Sequence, residues 1–404
     1  MSAIKISSIH IYPIKSTAGI KLTHTKVEAM GLAFDRRFVV SDSSGQFITA
    51  RTEPTLCLVK THLTEQGITL SATKMVTLTL SYEEFSEQYQ NVTVWGDDIA
   101  GQLCSKAANA WFSEYLQRPC QLLFFGSKSY REKKPTTLDV EHDNTRKLAF
   151  ADGYPLLLIS QASLDDLNLR LISNSIGNNQ QQGVSMTQFR PNIVIDNCLP
   201  YAEDGWQHIR IGDVEFKVSK PCERCVFTTI NPQNAEKNLE QQPLRTLKSF
   251  RQTSNGEVLF GQNLIPLNSG QIKAGDKLTI LSKQKPPIFN NTETRDVKTV
   301  SKNNDKSIMS VNKKINIHFK KWNKTHQIKS LKSTSKTILE YGEEAGLILP
   351  YSCCAGMCGS CKAKLVSGEV ELSSSDGLTD QEKQDGYILC CSAIATSDVI
   401  ISHD

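Results

Sequence analysis

At 404 residues, with 39% hydrophobic and 22% charged residues, the chain is long enough for roughly two to four domains and apolar enough to bury their cores. A net charge of +4 is too weak to argue for a nucleic-acid polymer as partner, and no apolar run reaches the length of a membrane span. The start, MSAIKISSIHIYPIKS, has neither an apolar signal core nor a cleavage site. With twelve cysteines, this predicts a cytoplasmic chain whose thiols serve metals or redox chemistry rather than disulfides.

The first 280 or so residues read as mainly β. DRRFVVSDSSGQFITAR alternates on both sides of Ser43-Ser44-Gly45 and predicts a hairpin. MVTLTLSYE, NVTVWG, QLLFF, YPLLLIS, RPNIVID, DVEFKVS and RCVFTTI add short strands. Helical patterns interrupt them over residues 101–117 and again after Ser163, which makes a capping pattern with Asp166. SGQIKAGDKLTILSK reads as a closing hairpin. Many short strands with few helices predict β-barrels or sandwiches.

From residue 285 the composition turns to Asn, Lys, Ser and Thr behind two prolines, which predicts a linker over 285–312. Residues 313–404 then form a compact unit. KINIHFKKW and THQIKSLK predict a hairpin, STSKTILEYGEEAG a helix stopped by Gly346, and KAKLVSGEVEL a second hairpin. Thr379 and Glu382 in TDQE form a capping box for a short helix before the last strand.

Between these elements lies LPYSCCAGMCGSCKAKL, followed by GYILCCSAI. Cys353, Cys358 and Cys361 give C-x4-C-x2-C, the plant-type [2Fe–2S] arrangement; a count begun at Cys354 does not fit. Gly356 and Gly359 allow backbone N–H groups to approach the sulfurs. A zinc site would pair two short half-sites instead. The unit resembles a plant-type ferredoxin of the β-grasp type, and the resemblance places the ligands on Cys353, Cys358, Cys361 and Cys391. Cys354 and Cys390 are left over.

A second pair, Cys222 and Cys225, stands in KPCERCVFTTINPQ. A thioredoxin-like motif would open a helix, whereas VFTTI predicts a strand after Cys225. No second half-site for zinc accompanies it, so spacing leaves two buried thiols as one reading. IHIYPIKS, GLAFDRRFVV, TAR, FRPNIVID, PCERCVFTTI, PLRTLKSFR and FGQN together resemble the MOSC family with its N-terminal β-barrel domain. With the ferredoxin unit, the whole chain is similar to the bacterial YcbX-type proteins of that family. The resemblance implies an MOSC N-terminal β-barrel domain over 1–120, an MOSC β-barrel over 121–284, the 285–312 linker and a ferredoxin over 313–404.

It further implies a pterin-based molybdenum cofactor with Cys225 as the protein ligand to the metal. A soft thiolate suits such a metal, and Arg224 beside it favours the thiolate. An anionic cofactor with a phosphate tail asks for basic forks, hydroxyls and helix N-termini. Lys15, Ser16, Arg36, Arg51, Arg190 and Asn192 match family motifs that face the cofactor, although Arg37 competes with Arg36 for the inward position. Ser160 and Ser163 stand where a strand ends and a helix begins, a natural phosphate site; a plain helix cap is the alternative.

A one-electron cluster joined to a two-electron metal makes an internal electron relay. The chain carries no GxGxxG behind a strand, so an external NAD(P)H-dependent flavoprotein reductase is the expected donor. The resemblance implies reduction of small N-hydroxylated compounds: hydroxylamines, amidoximes and N-hydroxylated nucleobases. The alternatives are a sulfur or cofactor carrier using a Cys225 persulfide, and a non-enzymatic electron carrier.

Overall fold

The computed structural model describes residues 3–133, 146–173, 183–254, 256–289, 315–328, 336–345, 347, 349–351, 359, 361–372, 375 and 377–403. Backbone contacts divide the chain into two compact units, Met1–Arg251 with Val258–Ile288, and Phe289–Asp404 with Gln252–Glu257. The fold is mainly β in both, as the sequence predicts. Most of the expected linker, from residue 290, lies outside the described residues.

An eight-stranded sheet organises the first unit, in the order Ile20–Leu22, Lys5–Ile11, Ile193–Asp196, Leu156–Ser160, Leu259–Pro266, Val214–Glu223, Trp206–Ile211 and Leu278–Lys283. Leu156–Ser160 and Ile193–Asp196 run parallel, joined through the helix Gln161–Ser173. One face of this sheet buries Ile9, Leu158, Ile193, Ile209, Phe216 and Leu264 in a single apolar cluster. A second cluster forms around Phe38, Leu70, Phe112 and Leu122, where the helix Lys106–Leu116 packs behind a four-stranded sheet. Ser105 caps that helix by accepting from the Ala108 N–H at 3.1 Å, so it starts later than residue 101. Residues 97–103 form a strand instead.

Strands from both sides of residue 120 share sheets in the first unit. Gln121–Phe124 pairs with Phe38–Ser41 and Asp97–Leu103, while Lys5–Ile11 pairs with Ile193–Asp196. Two expected hairpins are corrected. Gly270–Lys273 pairs with His24–Glu28 and Leu278–Lys283 with Trp206–Ile211, not with each other. Likewise Lys362–Ser367 joins the five-stranded sheet of the second unit, whereas Val370–Leu372 pairs with Ala393–Ala395. Alternation identifies a strand and the face it buries but says nothing of its neighbour.

In the second unit Ile315–Phe319 and Lys324–Ile328 form the expected hairpin. Ile315–Phe319 then runs parallel to Val399–Ser402 in a mixed sheet whose core includes Ile317, Phe319, Leu389 and Ile401. The Thr379–Glu382 capping box is present in full at the helix Asp380–Gln384.

Candidate functional site

A cleft in the first unit encloses about 910 Å³, part of it open to solvent. It is lined by Lys15, Ser16, Arg36, Arg51, Arg190, Asn192, Arg224 and Cys225, which lie far apart in the chain. The sheet order explains the convergence. The Lys5–Ile11 strand delivers residues 12–16 beside the Ile193–Asp196 strand, just after Arg190 and Asn192. The Val214–Glu223 strand ends at the cleft with Cys222, Glu223 and Arg224.

Cys225 is half-buried and precedes a 3-10 turn, Val226–Thr229, rather than the expected strand. The Thr228 and Thr229 hydroxyls donate back to the Cys225 and Val226 carbonyls at 2.9 and 2.7 Å, an alternative to ladder bonding that β-branched composition does not reveal. The Cys225 carbonyl also accepts from the Thr228 N–H at 3.0 Å, which fixes the backbone under the thiol. Cys222 lines the same cleft, and burial raises its thiol above the ordinary range.

The basic residues divide by how their charge is met. Arg36 pairs with Asp35 at 2.6 Å and donates to the Asn192 side chain at 3.2 Å. Arg37 turns away to Glu28, so of the two it is Arg36 that lines the cleft. Lys15 Nζ bonds the Phe150 carbonyl and the Asp152 carboxylate. Burial pulls Lys15 down to about 8 even though Asp152 works the other way. The partly dewatered cleft wall opposes the charge of Asp152 too, yet Lys15, Arg51 and the Trp95 indole N–H hold its carboxyl well below the usual range. Arg51 stacks on Trp95 with 4.3 Å between guanidinium carbon and ring centre.

Arg190 and Arg224 are different. Their bonds go to backbone carbonyls: Arg190 to Thr17, and Arg224 to Phe260 and Phe189. One terminal nitrogen of each, Nη2, is buried without a partner among the described residues. Buried donors of this kind are costly unless a ligand completes them. Four residues of the cleft wall also hold left-handed backbone angles: Ser16 at φ 72°, Arg36 at 48°, Trp95 at 54° and Arg190 at 55°. Such angles are uncommon for residues other than glycine, and they cluster at ligand sites. Orphaned guanidinium nitrogens, a basic wall and a half-buried thiol at the cleft fit an anionic, thiol-ligated metal cofactor.

Ser160 and Ser163 do not belong to this cleft. Both are fully buried, and their hydroxyls lie 2.6 Å apart. Glu203 accepts from the Ser163 hydroxyl at 2.8 Å and from the Ser160 N–H at 3.1 Å. A carboxylate of the chain itself thus occupies the helix N-terminus where a phosphate was expected. Asn192 lines the cleft, but its amide is committed: it accepts from the Leu157 N–H at 3.1 Å and donates to the His10 carbonyl at 3.1 Å. Asp152 and Trp95 escaped the sequence reading, because no motif marks either.

At the second unit's cluster end, Cys361 and Cys391 are buried with their sulfurs 3.1 Å apart, well beyond the roughly 2.05 Å of a disulfide. The Cys391 N–H approaches the Cys361 sulfur at 3.5 Å, and Gly359 adopts φ 71° beside them. Two buried thiols facing each other with a backbone donor suit one end of a [2Fe–2S] centre. Cys353 and Cys358 lie outside the described residues. Cys390 faces His403 at 3.8 Å, which sets it apart from the facing thiols of Cys361 and Cys391.

Residues 3–119 match the family model of the MOSC N-terminal beta barrel domain, 145–279 that of the MOSC domain, and 322–396 that of the 2Fe-2S iron-sulfur cluster binding domain. The human protein "Mitochondrial amidoxime-reducing component 1" is 35% identical over 289 residues, 68% of this chain and 82% of the relative. This chain belongs to the MOSC family of the mitochondrial amidoxime-reducing components. A "Molybdenum cofactor sulfurase" of Oryza sativa subsp. japonica is also 35% identical, over 69% of this chain but only 34% of the relative. Among solved structures, Pectocin M2 is 36% identical over 22% of this chain and 32% of its own, with a TM-score of 0.19. This MOSC-family chain holds a molybdenum cofactor and a 2Fe-2S cluster as its two redox groups. No helix among its described residues is long and apolar enough to cross a membrane.

Proposed function

We propose that this chain reduces N-hydroxylated compounds (hydroxylamines, amidoximes and N-hydroxylated nucleobases) with electrons passed through its own 2Fe-2S unit from an NAD(P)H-dependent flavoprotein. The chain is a molybdenum-dependent oxidoreductase. The observation that carries the reading is the cleft itself, where Cys225 stands among cations of which two, Arg190 and Arg224, keep unpaired buried nitrogens. The bound cofactor supplies a two-electron change at the metal. The reaction breaks one N–O bond, consumes two electrons and two protons, and releases water with the amine or, from an amidoxime, the amidine.

In this reading Cys225 ligates the metal and Arg190 and Arg224 receive the cofactor's negative charge. Lys15 and Arg51 hold Asp152 at the cleft wall, where its side chain is 63% exposed. Cys353, Cys358, Cys361 and Cys391 hold the cluster. The placement in the cytoplasm and the absence of a membrane partner belong to the same proposal.

The test is the metal content and turnover of full-length protein made in a host that synthesises the pterin cofactor. One molybdenum and two irons per chain, with reduction of an amidoxime or hydroxylaminopurine by a coupled flavoprotein donor, is the expected result. Metal-replete protein that reduces neither substrate would end the proposal. The rice relative's name supports a second reading, in which Cys225 carries sulfur. A persulfide on Cys225 in protein free of molybdenum would favour it.

A further inference from the structure

We propose that Tyr12 is a positioning residue of the cofactor cleft, its buried ring gathering the Arg36 and Arg190 guanidiniums into one anion-binding pair. The inference rests on the molybdenum-cofactor reading of the cleft. The guanidinium carbons of Arg36 and Arg190 lie 4.4 and 4.1 Å from the centre of the Tyr12 ring. Two like charges so close repel, and among the described residues only Arg36 has a carboxylate partner. The electron-rich face of an aromatic ring offsets such repulsion without neutralising Arg190, whereas Asp35 meets the charge of Arg36 alone. The pair therefore stays cationic toward the cleft, and Arg190 Nη2 remains unpartnered.

Tyr12 is also tied to both arginines through the backbone. Its N–H donates to Asp35 at 2.8 Å, its carbonyl accepts from the Arg36 N–H at 2.9 Å, and its hydroxyl donates to the Pro191 carbonyl at 3.3 Å. One residue so joins the turn before Arg36 to the turn after Arg190, although they are 154 positions apart. The ring sits where it does because Gly19 leaves room for it. A Cβ at Gly19 would lie 2.5 Å from the Tyr12 Cε1 atom. Both sequence features, the Tyr of YPIKS and the Gly five residues beyond its Ile14, are thereby given a role at the cleft.

The test compares full-length wild type with Tyr12→Phe and Tyr12→Leu. Molybdenum per chain is measured after production in a cofactor-making host. Phenyl phosphate affinity is measured on cofactor-free chains by calorimetry. Tyr12→Phe keeps the ring but loses the hydroxyl bond to Pro191, and is expected to stay within about twofold of wild type in affinity and to keep its molybdenum. Tyr12→Leu is expected to bind phenyl phosphate about tenfold more weakly and to hold less molybdenum. Should Tyr12→Leu fail to fold, Gly19→Ala, which displaces the ring without removing it, is expected to show the same loss. Unchanged affinity in the folded Leu or Ala variant, or a loss in Tyr12→Phe as large as in Tyr12→Leu, overturns the inference. Wild type that carries no molybdenum overturns the cofactor reading instead.

Discussion

Three expected cluster ligands fall within nine residues of one loop, 353–361, whereas the cleft draws Lys15, Arg51, Asp152, Arg190 and Cys225 from across more than two hundred positions. In the loop, sequence spacing sets the distances between ligands, so counting residues is nearly counting ångströms. In the cleft, the eight-stranded sheet sets them, and residues meet because Lys5–Ile11 lies beside Ile193–Asp196. The two regions should therefore fail differently. A metal centre that needs every one of its ligands is lost with one thiol. A cleft walled by several cations loses affinity in steps.

The largest effect is expected at the cluster. Cys391→Ser should abolish the iron content and the visible absorption of the cluster while the molybdenum stays. Cys390→Ser should keep both, since the Cys390 thiol faces His403 rather than the expected ligands Cys361 and Cys391. Iron retained in Cys391→Ser would mean that Cys390 substitutes as ligand, and the all-or-none half of the comparison would fall. Next comes the scaffold of the cleft unit. Buried Arg251 pairs with Asp204 at 2.7 and 3.0 Å, and Gln262 donates to the same carboxylate at 2.7 Å. Arg251→Ala leaves that carboxylate buried and should cost about 3–5 kcal/mol in urea unfolding. The partly exposed helix pair Arg170–Asp166 is the control, its i,i+4 contact worth about 0.3–0.5 kcal/mol. A cost no larger than the control's would show that the buried network is dispensable.

Legibility followed the same division. The capping box at Thr379 and the cluster spacing were readable because each is local: donor, acceptor and ligand lie within a few residues. Alternation marks where a strand lies but not its partner, so the two hairpins it suggests join chain neighbours that pair elsewhere. VFTT reads as a strand by composition, and only the back-bonding of Thr228 and Thr229 makes it a turn. The basic residues of the cleft were found through their motifs, not through any pattern of their own. Asp152, which meets the charge of Lys15, left no signal, because its partner is 137 positions away.

A smaller effect tests whether the cleft's charge is graded. Lys15 titrates near 8, so it is cationic below that value and loses its charge as pH rises through it. A phosphate monoester is already doubly charged by then. The affinity of cofactor-free protein for phenyl phosphate should fall about fivefold between pH 7 and pH 9, the scale of one charge pair in a wet cleft. Lys15→Met should flatten that fall. A profile unchanged by the substitution would take Lys15 out of the anion site.

The smallest effect concerns Glu203, which stands where Ser160 and Ser163 were expected to greet a phosphate. Burial raises its carboxyl above the usual range, with Asp204 adding to the shift, although hydrogen bonds from Ser160 and Ser163 oppose it. A carboxyl raised on folding takes up a proton more readily in the folded chain than in the unfolded one. Its contribution is therefore fully present below the ordinary glutamate value and is lost as pH rises through the raised one. Glu203→Gln keeps an acceptor for the Ser160 N–H and the Ser163 hydroxyl but carries no charge to bury. Its unfolding free energy should show a shallower decline with rising pH than wild type across the weakly acidic range. Equal slopes would mean that Glu203 stays ionised in the folded chain. The helix N-terminus would then hold a full negative charge, and the competition that keeps a phosphate out of it would be stronger still.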